Sequence, residues 1–221
     1  MNVRIVVDST ADMREDVRAR LGVVPLTIRF GEQEYIDGVT INHKEFYEKL
    51  VESDVLPTTS QAAPDAFAAV FEEAAAAGES VVVITISSGL SGTYQSACIA
   101  AQEYPGRVFV VDSRHVTIGA GILAEYALRL ADDGMDAEAI AQRLTIEREN
   151  VRMIAMLDTL EYLKRGGRIS RTAAFAGGLL SIKPVIGINA GMVEVIGKAR
   201  GSKQGNNLLI KEIVNSGGVD F

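Results

Sequence analysis

The sequence predicts an α/β fold, in which a first domain with a parallel sheet and helices on both faces precedes a smaller α/β second domain. Two observations predict it. Through the first 150 residues, short apolar runs alternate with longer segments of helical periodicity, which is typical of parallel strands joined by helices. Beyond Gly166-Gly167 this alternation is lost. We therefore expect an N-terminal domain over residues 1–150 and a second domain over residues 151–221.

The first 60 residues predict a buried strand, two helices and a hairpin. The run from Val3 to Val7 is rich in β-branched residues, which predicts a strand. Asp12, followed three residues later by Glu15, is typical of a capped helix start. The other elements predicted here are the hairpin strands Val24–Phe30 and Gln33–Ile36 and the helix Asn42–Val51.

The rest of the first domain alternates between helices and strands. Pro64 suits a first helical turn, and Gly78 suits the end of the same helix. The predicted elements are the helices Asp65–Ala77, Tyr94–Glu103, Gly119–Ala131 and Asp136–Glu149 and the strands Ser80–Ile86 and Arg107–Val111.

The second domain is predicted to contain three strands and a helix. The segments are Val151–Leu157, Leu179–Ile188, Met192–Ile196 and the helix Asn207–Asn215. Because the chain stops at Phe221, soon after this helix, we expect a domain that is truncated at its C-terminus.

Composition and charge favour a protein of the cytoplasm that binds no nucleic acid. The formal charge of −7 opposes attraction to nucleic acid and to anionic lipid headgroups. No window reaches the roughly 18 uninterrupted apolar residues that a membrane helix needs, and the chain starts directly with a strand instead of a signal segment. We expect no stable membrane insertion. The single cysteine, Cys98, sits in a helical pattern where a buried thiol acts as a small hydrophobe.

Small hydroxyl residues are concentrated in two segments at strand-to-helix junctions, Thr58 to Gln61 and Ser87 to Thr93. Hydroxyls and free amides at the start of a helix bind anions, so phosphate or carboxylate is the natural ligand. Glycines 89 and 92 would let the backbone approach such a ligand closely. The alternative is that Ser60 and Ser91 only cap their helices, as serine often does.

Three other hypotheses, a serine hydrolase, a nucleotide-binding enzyme and a metal site, fit the sequence poorly. A serine hydrolase would need G-x-S-x-G around Ser91, but Gly92 follows the serine directly, and His115 is the only histidine downstream. Gly119 to Ala124 matches G-x-G-x-x-A, yet a long helix continues through it, which favours close helix packing over nucleotide binding. Two isolated histidines and one cysteine do not form a metal site, so we expect no metal and no cofactor. Asp8, Asp12 and Asp112 lie near strand ends, where carboxylates could bind a cation, but we expect Asp8 and Asp112 to accept hydrogen bonds from turn amides and Asp12 to cap its helix.

Basic residues cluster late in the chain. Lys164, Arg165, Arg168 and Arg171 are closely spaced, and Lys198, Arg200 and Lys203 follow. Such groups on an acidic protein would bind an acidic partner or a phosphate, or they are simply solvated surface.

Six segments in this order resemble the DegV family, and together they span almost the whole chain. They are VDSTAD at 7–12, PTTSQ at 57–61, SSGLSGT at 87–93, VVDS at 110–113, LEYLKRGGRIS at 160–170 and LLSIKPV at 179–185. The resemblance implies a carrier that is not itself an enzyme, with one long-chain fatty acid such as palmitate in an apolar tunnel. It also implies a partner, a separate ATP-dependent fatty acid kinase that converts the carboxylate to an acyl phosphate for phospholipid synthesis. A carrier of another amphiphile, without a kinase, is the alternative.

The resemblance also implies the site residues. Thr59 and Ser91 look like the pair whose hydroxyls hold the carboxylate, with amides near Ser60 and Gly92 as helpers. Arg171 and Arg200 look like the family's basic positions that meet the kinase or the phosphate. Family members usually continue further and carry a histidine near the carboxylate in that segment, which this sequence lacks.

Overall fold

A computed structural model describes residues 2–53, 55–169 and 182–218. The chain forms two compact units, Met1–Asn150 and Val151–Phe221. Among the described residues, no helix is long and apolar enough to cross a membrane.

The first unit contains seven strands and six helices within its described residues. In chain order they are β1 (Val3–Asp8), α1 (Glu15–Arg18), β2 (Gly22–Val24), β3 (Thr27–Phe30), β4 (Gln33–Ile36), α2 (His43–Glu52), β5 (Thr58–Ser60), α3 (Pro64–Ala76), β6 (Ser80–Thr85), α4 (Thr93–Ala101), β7 (Val108–Asp112), α5 (Ile118–Asp132) and α6 (Ala137–Glu147). Four of the strands form a parallel sheet in the order β2-β1-β6-β7. All six residues of β6 are buried, as expected for a central strand covered on both faces.

Helices cover both faces of this sheet, which confirms the predicted α/β class. Val81 and Val83 of β6 pack with Phe67 of α3 and Ala97 of α4 on one face. On the other face α5 and α6 contact β1 and β6. Helix α1 lies on the α5 side, because Arg20, just beyond it, pairs with an α5 carboxylate at 2.6 Å.

The connections of β1 and β6 therefore leave the sheet toward opposite faces. The β1 connection contains α1 and the β6 connection contains α4, and these two strands are neighbours. In parallel sheets, ligands bind in the crevice outside the carboxyl ends of two strands related in this way. The fold alone therefore directs attention to the loops that follow Asp8 and Thr85.

A small antiparallel sheet in the order β4-β3-β5 lies beside the main sheet. Its apolar face carries Ile28 and Phe30, which pack with Ile41 and the partly buried Phe46. Strand β5 is an edge strand in which Thr59 pairs with Ile28. Because side chains alternate along a strand, Thr59 shares the face of Ile28 and its two strand neighbours point the other way.

One predicted helix start is wrong. Asp12 does not cap α1, whose N-cap is Arg14 without a side-chain cap. The capping box found in the structure belongs to α2, where Asn42 accepts the Glu45 amide at 3.0 Å and the Glu45 carboxylate accepts the Asn42 amide at 2.9 Å. Local spacing alone does not distinguish a cap from an acidic residue one turn too early.

The second unit contains an antiparallel sheet and two helices within its described residues. They are β8 (Ile154–Met156), α7 (Glu161–Arg165), β9 (Ile182–Asn189), β10 (Met192–Arg200) and α8 (Gly201–Asn215), and the strand order is β10-β9-β8. Gly205 of α8 lies against the thioether of Met156, where an added Cβ would be 2.0 Å from the sulfur. Strand β10 runs four residues beyond its predicted end, and the predicted strand start at Leu179 lies outside the described residues.

Candidate functional site

The loops after β1 and β6 are tied together by a buried carboxylate. Asp8 is 1 % exposed, and its Oδ2 accepts the Ile86 amide at 2.6 Å. Its Oδ1 accepts the amide and the hydroxyl of Thr10, at 3.0 and 2.6 Å. Burial raises the pKa of Asp8 above its ordinary value, although these hydrogen bonds favour the charged form and oppose the rise. Asp8 thus accepts turn amides, as predicted, and holds the two loops in register.

The loop from Ser87 to Gly92 folds back on its own backbone. The Ser87 carbonyl accepts the amides of Leu90 and Ser91, at 2.9 and 3.2 Å. Ser88 donates from its hydroxyl and its amide to the carboxylate of Asp112, at 2.5 and 3.1 Å. Asp112 therefore also accepts a turn amide, as predicted. The loop is fixed at both ends before it enters α4.

The segment Thr58 to Ser60 is a strand rather than a loop. All three residues of β5 are exposed, and the strand leads directly toward α3. Thr59 pairs with Ile28, which is buried in the apolar face of this sheet. The strand thus places an exposed hydroxyl residue next to an apolar one.

Three contacts bring the end of β5 against the first turn of α4. Gln61 Nε2 donates to the hydroxyl of the buried Ser96 at 2.9 Å. The Ala62 amide donates to Thr93 Oγ1 at 3.3 Å. Gln61 Oε1 lies so close to Gly92 that an added Cβ would be 1.9 Å away. The ends of the two hydroxyl segments predicted from the sequence are therefore in contact, through Gln61 and Gly92. We use the name hydroxyl clasp for the four predicted site residues of these segments, Thr59, Ser60, Ser91 and Gly92.

The alternative role in helix capping is wrong for Ser60 and partly right for Ser91. Ser60 lies in β5, and the N-cap of α3 is Ala63, which makes no side-chain cap. Ser91 Oγ accepts the Thr93 amide at 3.3 Å. The N-cap of α4 is Gly92, which has no side chain to offer, and the start of this helix carries the partial positive charge of the helix dipole.

The features that would point to an enzyme have structural roles here. His115 is buried, and its Nε2 donates to the Arg148 carbonyl at 3.1 Å, so this ring nitrogen does not contact Ser91. Gly121 lies inside α5, where an added Cβ would be 2.0 Å from the Asp12 carbonyl oxygen. Close packing thus explains the G-x-G-x-x-A pattern, as predicted. Burial raises the pKa of the Cys98 thiol, which lowers its thiolate fraction.

Within the described ranges, no three His, Cys, Asp or Glu side chains are grouped closely enough to hold a metal ion. Two open pockets of about 420 and 270 Å³ lie at the two ends of α2, and neither is lined by a clasp residue. The first is bordered by Asp12 and His43, and the second by Phe30 and Lys49. Contacts of Gln61 and Ala62 with α4 bring the ends of the two hydroxyl segments together, whereas the pocket volumes alone specify no ligand.

Of the two basic positions predicted to meet a partner or a phosphate, the structure describes one. Arg171 lies outside the described residues. Arg200 ends β10 with an exposed side chain, and its amide donates to Gln204 Oε1 at 2.9 Å. In α7, Arg165 pairs with Glu161 one turn earlier. Arg200 is thus available on the surface of the second unit.

Comparison with known proteins identifies the family. The family model described as "Uncharacterised protein, DegV family" matches residues 2–218. This chain belongs to the DegV family. A DegV domain-containing protein of Caldanaerobacter subterraneus subsp. tengcongensis is 41% identical over 222 residues, and the alignment covers 99% of this chain and 79% of that relative. The resemblance found in the sequence is thereby confirmed.

Solved DegV structures share the fold over nearly the whole chain. One, described as fatty acid binding of a DegV family protein from Thermus thermophilus, has a TM-score of 0.89 at 39% identity and covers 98% of this chain and 78% of that one. A stearic acid-binding protein from Eubacterium ventriosum has a TM-score of 0.85 at 30% identity, covering 98% of this chain and 76% of that one. These DegV relatives are thus described as binding fatty acids.

Proposed function

We propose that this protein is a carrier that binds one long-chain fatty acid, with the carboxylate held at the hydroxyl clasp and the acyl chain in an apolar tunnel. The observation that supports the proposal is the docking of Gln61 and Ala62 onto α4, which brings the end of the segment Thr58 to Gln61 next to the end of the segment Ser87 to Thr93. The fatty acids described for similar DegV structures supply the ligand class.

The headgroup is held by charge-assisted hydrogen bonds. The hydroxyls of Thr59 and Ser91 donate to the carboxylate, and the amides of Ser60 and Gly92 assist them at the positive end of α4. A hydrogen bond to a charged group contributes about 1.5–3 kcal/mol, and loss of the carboxylate's hydration offsets much of that gain. The clasp therefore orients the ligand more than it tightens binding.

The acyl chain provides most of the affinity. Burying a chain of ~15 methylenes at about 0.8 kcal/mol each contributes roughly 12 kcal/mol before the costs of association and ordering. Nanomolar binding then requires no covalent bond. The protein acts as a cytoplasmic carrier and leaves the chemistry to its partner, a separate ATP-dependent kinase that phosphorylates the presented carboxylate. Arg200, and Arg171 in the segment outside the described residues, contact that kinase or the phosphate.

Solvent extraction followed by mass spectrometry tests the carrier function. We expect about one fatty acid per wild-type chain and a lower occupancy in the double variant Thr59→Ala, Ser91→Ala, because the carboxylate loses both hydroxyl donors while the buried acyl chain still contributes most of the affinity. The matched control is Thr58→Ala with Ser88→Ala. Thr58 points to the opposite face of β5 and the Ser88 hydroxyl is already bonded to Asp112, so this variant should retain the lipid.

The proposal fails if the wild type carries no lipid and takes up none when palmitate is offered. Equal lipid loss in both double variants would show that binding does not depend on the clasp. If the protein carries a different amphiphile, the mass spectrum of the extract will show a mass other than that of a fatty acid.

A further inference from the structure

Thr93 is a buried hydroxyl that no ligand can reach directly. The residue is 0% exposed at the start of α4. Its Oγ1 lies 3.3 Å from the Ala62 nitrogen and 2.9 Å from Ser91 Oγ. The Thr93 amide also donates to Ser91 Oγ, at 3.3 Å. Thr93 thus stands between a backbone donor and the clasp hydroxyl.

The direction of the hydrogen bond between the two hydroxyls follows from counting protons. A backbone N–H only donates, so Thr93 Oγ1 accepts from Ala62, and its own proton is free to be donated to Ser91 Oγ. Ser91 Oγ then accepts both the hydroxyl and the amide of Thr93. Its remaining proton is directed away from Thr93.

The reverse direction is less favourable. If Ser91 donated to Thr93, the oxygen of Thr93 would accept twice and its proton would need another acceptor. Within the described residues, Ala62 and Ser91 are the two hydrogen-bond partners of Thr93 Oγ1. A buried hydroxyl without an acceptor for its proton carries a penalty, so the order Ala62 to Thr93 to Ser91 prevails.

We propose that Thr93 is a positioning residue that fixes the Ser91 proton so that it is donated to the ligand carboxylate. This inference rests on the proposed fatty acid site. Gln61 supports the arrangement because its bond to Ser96 holds the neighbouring Ala62 amide over Thr93. Hydrogen bonds arranged in a chain also polarise one another, which strengthens the terminal donor.

The test measures the pKa of bound palmitate labelled with ¹³C at the carboxyl carbon, by NMR titration, together with the Kd. Donors to the charged form lower the pKa of a carboxylate. We expect Thr93→Val, which keeps the shape and removes the hydroxyl, to raise the pKa of the bound carboxylate and to weaken binding about threefold to tenfold, as for one hydrogen bond. Thr93→Ser restores the hydroxyl and should return both values close to wild type.

The outcomes separate this inference from the proposed function. Absence of palmitate binding by the wild type overturns the function itself. Wild-type binding with an unchanged carboxylate pKa in Thr93→Val overturns the positioning role and leaves the carrier intact. Failure of Thr93→Ser to restore the pKa assigns the effect to the Thr93 methyl group instead and also overturns it. Should Thr93→Val not fold, Thr93→Cys provides the comparison, because its thiol fills the site with only a weak donor.

Discussion

Position 92 requires a glycine because the side chain of Gln61 occupies the space of a Cβ. A Cβ at this position would be 1.9 Å from Gln61 Oε1, so Gly92→Ala must displace the Gln61 carboxamide and break its bond to the buried Ser96 hydroxyl. We expect a loss of about 1–3 kcal/mol in the free energy of unfolding by urea, and weaker palmitate binding.

The variant Gln61→Ala supplies the control for this prediction. It removes both the obstacle and the bond, so Gly92→Ala should cost about 1 kcal/mol less in that background than in the wild type. Equal costs in the two backgrounds would mean that Gly92 is needed for its backbone and not for its contact with Gln61.

The sequence allowed the clasp hydroxyls to be predicted, but not their supports. Thr59 and Ser91 stand in two hydroxyl-rich segments, and such local enrichment is visible in a sequence. Gln61 and Thr93 act through partners 35 and 31 residues away, and no local pattern encodes those pairings. Proximity of the clasp residues to any ligand stays a prediction.

At the scale of elements, α5 packs through a glycine against a backbone atom. A Cβ at Gly121 would be 2.0 Å from the Asp12 carbonyl oxygen, and the Asp12 amide is itself bonded to Thr117 at 3.2 Å, so the contact cannot relax cheaply. Gly→Ala in an open helix stabilises by about 1 kcal/mol. For Gly121→Ala we expect the opposite effect, a decrease of about 1–3 kcal/mol in the free energy of unfolding, measured by thermal or urea unfolding.

The exposed neighbour Ile122 provides the matched control in α5. Ile122 is 53% exposed, so Ile122→Ala should leave stability nearly unchanged. A stabilised Gly121→Ala would show that α5 moves away from the β1 connection without penalty.

The longer elements β6 and α5 are predicted well from the sequence, because the buried strand is an almost continuous apolar run and the helix has a helical apolar periodicity. The three-residue strand β5 is not, because an exposed edge strand of hydroxyl residues has no apolar alternation.

At the scale of the whole molecule, the net charge conceals a strong asymmetry between the two units. Residues 1–150 carry 12 Lys and Arg against 24 Asp and Glu, a formal charge of −12, whereas residues 151–221 carry 10 against 5, or +5. The overall −7 opposes attraction to nucleic acid and to anionic lipid headgroups. Divided by unit, the same count gives the second unit a net positive charge, which favours attraction to an acidic partner or to a phosphate.

A substitution of Arg200 tests whether the positive charge of the second unit serves a partner. We expect Arg200→Ala to bind palmitate as the wild type does, because Arg200 is exposed and is not one of the clasp residues. We expect a fatty acid kinase to phosphorylate the palmitate bound to this variant about tenfold to hundredfold more slowly, because a lost hydrogen bond to a charged group costs about 1.5–3 kcal/mol. Phosphorylation is followed by transfer of ³²P from ATP, and Lys211→Ala, another exposed basic residue of the second unit, serves as the control. Equal slowing in both variants would mean that the net positive charge matters and not this position. Unchanged turnover in Arg200→Ala would remove Arg200 from the proposed kinase or phosphate contact and would leave the proposed carrier function standing.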